Sequence, residues 1–205
     1  MEIKKITVLG AGIMGAGIAQ SAAQAGFDVM IRDMEDGFVE NGLTTIKANL
    51  SRAVSKGKMV QDEADAIMDR ITGTTDLTMA AQEADMVIEA IIEIMDIKKQ
   101  VFQELDNICR KEAILASNTS GLSITEMGSV TRRADRFIGM HFFNPVPVMK
   151  LVELIRGYTT SHDTLNIAKD FVEKLGKTPI EVKEAPGFAV NRILCPMINE
   201  AVFVL

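Results

Sequence analysis

The segment KKITVLGAGIMG near the start of this 205-residue chain places Gly10, Gly12 and Gly15 directly after a strand-like run and at the mouth of a helical one. A GxGxxG pattern by itself is a weak signal, but a strand before it and a helix after it restrict what the chain can become. Glycine at the first position permits a tight turn, at the second lets a pyrophosphate approach the backbone, and at the third lets helix and strand pack closely. The helix entered through Ile13 and Met14 then offers its first amides and its dipole to phosphate. Asp33 ends the following strand-like run, FDVMIRD, where a carboxylate would accept hydrogen bonds from both hydroxyls of a ribose. A carboxylate there repels a 2′-phosphate, so NAD is expected over NADP, with Arg32 beside it leaving dual use open. The competing reading is a glycine turn that only packs strand on helix, with Asp33 as a loop acid.

Beyond the loop, Val- and Ile-rich runs keep alternating with stretches of helical period, which predicts an α/β fold of Rossmann type with a mostly parallel sheet. Helices are expected over residues 13–25, 40–56 and 61–71, through MDIKKQVFQELDNIC, and over residues 164–175. Strands are expected at ADMVIEAI, EAILASNTS, RFIGMHFF, VMKLVELI and TPIEVK. A net charge of −6 argues against a nucleic-acid partner held by a general basic field. Cys109 and Cys195 show no disulfide or metal-ligand spacing and read as reduced thiols. The amino end enters structure without a signal-type apolar region, and no later apolar run suits a membrane span, so a cytoplasmic location is expected.

A second motif is HFFNPVPVMKLVE, residues 141–153, in a chain with only two histidines. His141 closes a strand, Asn144-Pro145-Val146-Pro147 forces the chain out of regular structure, and MKLVELI resumes an extended run. A strand that returns after such a turn can set Glu153 beside His141, where a carboxylate orients a general base and stabilises its protonated form. A lone histidine in an apolar strand is otherwise a satisfied core residue. His162 has no such companion and reads as a surface residue.

With these residues in view, the sequence resembles the L-3-hydroxyacyl-CoA dehydrogenases, and within them the bacterial 3-hydroxybutyryl-CoA type, from the glycine loop to the last residue. The resemblance rests also on VIEAIIE (87–93), ASNTSGLSI (116–124) and PGFAVNRIL (186–194). It implies that His141 and Glu153 form a catalytic dyad, that Ser120 hydrogen-bonds the reacting 3-oxygen, and that Asn191 completes the polar contacts to the substrate carbonyls. It further implies that Glu93, Lys98, Ser120 and Asn144 contact the cofactor alongside the glycine loop and Asp33. Read without the resemblance, Ser120 caps a following helix, Asn191 caps or lines the last one, and Glu93 with Lys98 is a solvated pair. Ile94 departs from the family, which usually has asparagine there, and Gly121 stands where relatives often carry serine.

Residues 41–61 contain no acid, while Lys47, Arg52, Lys56 and Lys58 are basic. Arg52 and Lys56 share a helix face, and the resemblance assigns this helix, through Asn49, Arg52 and Lys56, to the phosphorylated ADP moiety of an acyl-CoA. Charge alone reads it as an ordinary solvated helix. Two rivals stay open: a related hydroxy-acid dehydrogenase that does not use CoA, and an NAD-binding module without catalysis. The organisation expected is an NAD-binding domain over residues 1–185, with 186–205 as the first helix of a truncated all-α dimerisation domain. The resemblance implies a homodimer, and the apolar face running through residues 193–205 is expected to pair with another copy.

Overall fold

The computed structural model describes residues 2–204. Its strands are β1 (Lys5–Leu9), β2 (Asp28–Arg32), β3 (Ile71–Thr74), β4 (Met86–Glu89), β5 (Ile114–Ser117), β6 (Phe137–Phe142), β7 (Leu151–Arg156) and β8 (Thr178–Lys183). The helices are α1 (Ile13–Gln24), α2 (Asp36–Ser55), α3 (Gln61–Met68), α4 (Leu77–Ala81), α5 (Met95–Ile108), α6 (Ile124–Gly128), α7 (His162–Lys174) and α8 (Val190–Val204). The strands form one sheet in the order β3-β2-β1-β4-β5-β6-β7-β8, parallel throughout except where β6 meets β7. Strand order reverses between β1 and β4, which opens a crevice at the carboxyl ends of the strands.

The central strands bury both faces, which is why they read as continuous apolar runs rather than alternating ones. Ile6, Val8, Ile31, Ile88 and Met140 face a core shared with α1, α2, α3 and α7. Leu9, Val87, Leu115 and Phe137 face the opposite core with α4, α5 and α6, where Phe102 meets Phe137 edge-on at 4.6 Å. Helix α1 stops at Gly26, whose φ of +92° closes the turn in the left-handed region that glycine adopts without penalty.

Three expectations change. The helix expected over residues 61–71 ends at Met68, and Ile71 begins β3, an edge strand whose alternation is too short and too polar to read. The short helix α4 was hidden by its length, although Asp76 caps it through the Met79 amide. Helix α2 begins at Asp36, earlier than its apolar period suggests.

Candidate active site

The crevice is built first from the glycine loop. Gly10 sits at φ +94°, and a Cβ on it would lie 2.5 Å from the Ala90 carbonyl oxygen at the end of β4. A Cβ on Gly15 would lie 1.8 Å from the Gly10 carbonyl oxygen. At Gly12, by contrast, a Cβ would meet nothing within 4 Å, so the loop presents open space beside the first amides of α1, the arrangement that a pyrophosphate needs. Ile13 is largely exposed there and Met14 partly so. Asp33 does more than the motif suggested: one oxygen accepts the Ala11 amide at 2.7 Å and the other accepts the Met34 amide at 2.7 Å. It therefore fixes the loop while its remaining lone pairs stay available to ribose hydroxyls.

The second component lies where β6 and β7 pair antiparallel, with His141 directly opposite Glu153. His141 Nδ1 donates to Glu153 Oε2 at 2.7 Å, and a carboxylate that only accepts fixes the proton on Nδ1. Among the described residues, His141 Nε2 makes no hydrogen bond, and it is not sealed from solvent. Phe143 and Phe188 flank the imidazole, with ring centroids at 4.5 Å and 5.8 Å. Phe188 holds φ +50°, a left-handed conformation costing a bulky residue on the order of 1–2 kcal/mol. Sequence reasoning missed both aromatics, although Phe188 lies within PGFAVNR; nothing in the sequence signals that its backbone inverts. The other Glu153 oxygen accepts the amides of Ala189 and Val190 at 3.0 and 2.9 Å, so one buried carboxylate holds both the imidazole and the start of α8.

Helix α8 in turn carries Asn191, whose amide donates to the Ser120 carbonyl oxygen at 3.3 Å. Ser120 is exposed and its hydroxyl makes no hydrogen bond among the described residues; it does not cap a helix, since Ser123 caps α6 through the Glu126 amide. Asn118, in the same SNTS segment, accepts the Phe142 amide at 2.9 Å and ties the loop after β5 to the end of β6.

Glu93 and Lys98 are not a solvated pair. Lys98 is 1% exposed, and its ammonium meets Glu89 Oε1 at 2.5 Å and Glu93 Oε2 at 3.2 Å. The other oxygen of Glu93 accepts the Thr119 hydroxyl and, at 2.9 Å, the Ser120 amide. Burial pushes the Glu93 carboxyl up, but the Thr119 and Ser120 hydrogen bonds and the Lys98 ammonium outweigh it and hold it below the usual carboxylate range. Ile94, the departure from the family, is the N-cap of α5 and makes no side-chain capping bond.

The remaining residues stand apart. Asn144 is exposed in the turn after β6, and that turn is anchored by buried Lys177, which donates to the carbonyls of Val146 and Met149 at 2.5 and 2.8 Å. Arg52, in the last turn of α2, and Lys56, which follows its end, are exposed and make no ion pair among the described residues. Asn49 is partly buried and donates to Gln20 of α1 at 3.1 Å, so only its rim faces the same side. No hydrogen bond links these three to the dyad. Cys109 is buried, which pushes its thiol up to about 11, and Cys195 is exposed.

A Rossmann-type sheet, a glycine loop open to a pyrophosphate and a histidine–carboxylate pair at the same crevice define a dinucleotide-dependent oxidoreductase. Residues 5–185 match the model of the 3-hydroxyacyl-CoA dehydrogenase NAD binding domain. The chain is 52% identical over 203 residues to a probable 3-hydroxybutyryl-CoA dehydrogenase of Bacillus subtilis, a match that spans 99% of this chain and 70% of the relative. It is 46% identical over 198 residues to the 3-hydroxybutyryl-CoA dehydrogenase of Clostridioides difficile, covering 97% of this chain and 70% of that one. Its fold superposes on the crystal structure of (S)-3-hydroxybutyryl-CoA dehydrogenase from Ralstonia eutropha with a TM-score of 0.95 at 48% identity, over 98% of this chain and 70% of the other. The chain belongs to the 3-hydroxyacyl-CoA dehydrogenase family and is an NAD-dependent enzyme of that class.

Proposed function

We propose that this protein interconverts (3S)-3-hydroxybutyryl-CoA and acetoacetyl-CoA, with His141 as the proton-transfer group. The observation that carries the reading is the 2.7 Å bond from His141 Nδ1 to Glu153, which leaves the Nε2 lone pair without a donor among the described residues. In the oxidising direction, Nε2 takes the proton of the substrate 3-hydroxyl while Glu153 balances the imidazolium that forms. NAD, when bound, accepts the hydride that leaves C3. In reduction, the same Nε2 returns its proton to the 3-oxygen. The free Ser120 hydroxyl donates to that oxygen as charge develops on it, and Asn191 adds a donor for the substrate carbonyls. Gly10, Gly12, Ile13, Met14, Gly15 and Asp33 hold the pyrophosphate and ribose, with Glu93, Lys98 and Asn144 serving the other half of the cofactor. Arg52 and Lys56, with Asn49 at the edge, meet the phosphates of CoA; two exposed cations with no acidic partner among the described residues suit such a group.

The short acyl chain follows the names of the Bacillus and Clostridioides relatives. The same proposal includes a second, helical unit starting near residue 186, a homodimer and a cytoplasmic location. Most of the apolar side chains of α8 are exposed, Ile193 by 71% and Phe203 by 77%, which favours their burial against a partner; Leu205 lies outside the described residues. Among the described residues, no helix is long and apolar enough to cross a membrane. The test is NADH oxidation by acetoacetyl-CoA with the native chain and with His141→Gln. Turnover lost in the variant while NADH still binds is the expected result; equal turnover in both would remove His141 from the chemistry.

A further inference from the structure

The pair beneath the SNTS loop has an unbalanced charge count. Lys98 supplies one ammonium to two carboxylates, Glu89 and Glu93. Glu89 is fully buried at the end of β4 and both its oxygens are engaged by its own chain: Oε1 takes Lys98 and the Ile91 amide at 2.8 Å, and Oε2 takes the Ser117 hydroxyl at 2.6 Å. It can contact no ligand. The formal sum of the unit is one negative charge; Glu89 and Lys98 are buried and Glu93 is partly exposed, so solvent screens that charge only in part. Its location follows from the fold. Asp33 at the end of β2 takes the adenosine ribose and the start of α1 takes the pyrophosphate, which leaves the nicotinamide half to the β4 and β5 side, where Glu89 and Ser117 end their strands.

We propose that the Glu89–Lys98–Glu93 unit sets the balance between oxidised and reduced cofactor, its unmatched negative charge favouring the cationic ring of NAD+ over the neutral ring of NADH. Glu89 is then a positioning and electrostatic residue that acts without touching the ligand. The idea deepens the NAD reading of this site and does not depend on the acyl-CoA substrate or on His141. Were Lys98 paired to a single carboxylate, the site would be neutral and without this bias.

The test is the pair of dissociation constants for NAD+ and NADH, measured by calorimetry on the native chain, Glu89→Gln and Glu89→Asp. Glutamine keeps the reach and removes the charge; aspartate keeps the charge and shortens the reach. Glu89→Gln is expected to weaken NAD+ relative to NADH by about ten-fold, the effect of one poorly screened charge. Glu89→Asp lowers both affinities and keeps their ratio. A merely structural role would move both constants together in both variants, and an unchanged ratio in Glu89→Gln overturns the proposal. Should Glu89→Gln fail to fold, Glu93→Gln removes the same formal charge from a partly exposed carboxylate and must shift the ratio in the same direction, or the proposal fails. Because acyl-CoA is absent from this experiment, loss of turnover in the His141 assay and loss of the ratio shift are separate outcomes.

Discussion

Replacing Glu153 by glutamine changes no volume but forces a choice that the surrounding donors make costly. The native carboxylate accepts at both oxygens, from His141 Nδ1 on one side and from the Ala189 and Val190 amides on the other. A glutamine has one oxygen and one NH2, so it can accept on one side only. If the oxygen stays with the two amides, the NH2 group faces His141, Nδ1 becomes an acceptor and the ring proton moves to Nε2. The base then carries its proton where it should receive one. If the side chain flips instead, NH2 confronts two backbone donors and the start of α8 loses both bonds. The first arrangement keeps every hydrogen bond at the cost of the wrong tautomer, whereas the second loses two, so the first should prevail. The variant also loses a charge-assisted bond to the imidazolium, about 1.5–3 kcal/mol or roughly 10- to 150-fold in rate, before the tautomer penalty is added. Turnover of acetoacetyl-CoA with NADH is therefore expected to fall by about two to four orders of magnitude, with NADH affinity retained within about two-fold. Activity within about three-fold of native would refute the assigned tautomer and with it the role of the dyad.

The glycine loop separates folding from binding. Gly15→Ala, which would place a methyl 1.8 Å from the Gly10 carbonyl oxygen, should lower the unfolding temperature sharply; Gly12→Ala, with open space around it, should leave thermal unfolding unchanged while weakening NADH, as calorimetry can read. Arg52→Ala with Lys56→Ala should raise KM for acetoacetyl-CoA by about ten-fold or more and leave KM for a pantetheine thioester lacking the nucleotide unaffected, since only the nucleotide carries those phosphates. Asp106 accepts from both Arg132 and Arg133 at 2.7 Å; burial raises its carboxyl, but these bonds and the Arg133 charge outweigh that and hold it below its ordinary value of 3.8. A carboxyl lowered on folding stabilises the native state above its unfolded value, so this contribution should be intact above about pH 5 and be lost as pH falls through the folded value. Asp106→Asn, which leaves the buried Arg133 unmatched, should cost about 3–5 kcal/mol at neutral pH by urea unfolding and flatten the acid limb. Ile94→Asn should restore a cap to α5 and stabilise by about 1 kcal/mol, a gain visible as a raised denaturation midpoint.

Much of the site could be read along the chain because its signals are local. The glycines of residues 10–15 answer to steric demands within one turn, and Asp33 follows at the end of the next strand. Expecting His141 and Glu153 to meet needed only a proline turn between two extended runs, and the β6–β7 register pairs them. What stayed hidden depends on distant chain. Lys98 reads as a solvent-facing lysine because its carboxylate partner Glu89 looks like an ordinary strand end; only the packing of α5 over β4 and β5 buries both. Strand β3 was missed because it is short, polar and at an edge, and acquires its conformation by pairing with β2.

By itself, then, the sequence determined the α/β class, the glycine loop and NAD as the cofactor, and it predicted that His141 and Glu153 meet, since each is encoded by residue types at short spacing or by periodic burial. The tertiary structure decided what those residues do for one another. It made Asp33 a brace for the loop it serves, joined Glu153 to the first turn of α8, and enclosed two carboxylates around one ammonium beneath Ser120. Such linkages join residues up to about 37 positions apart, and no local pattern specifies them. They exist because buried donors and acceptors must be satisfied, and the fold alone determines which ones are within reach.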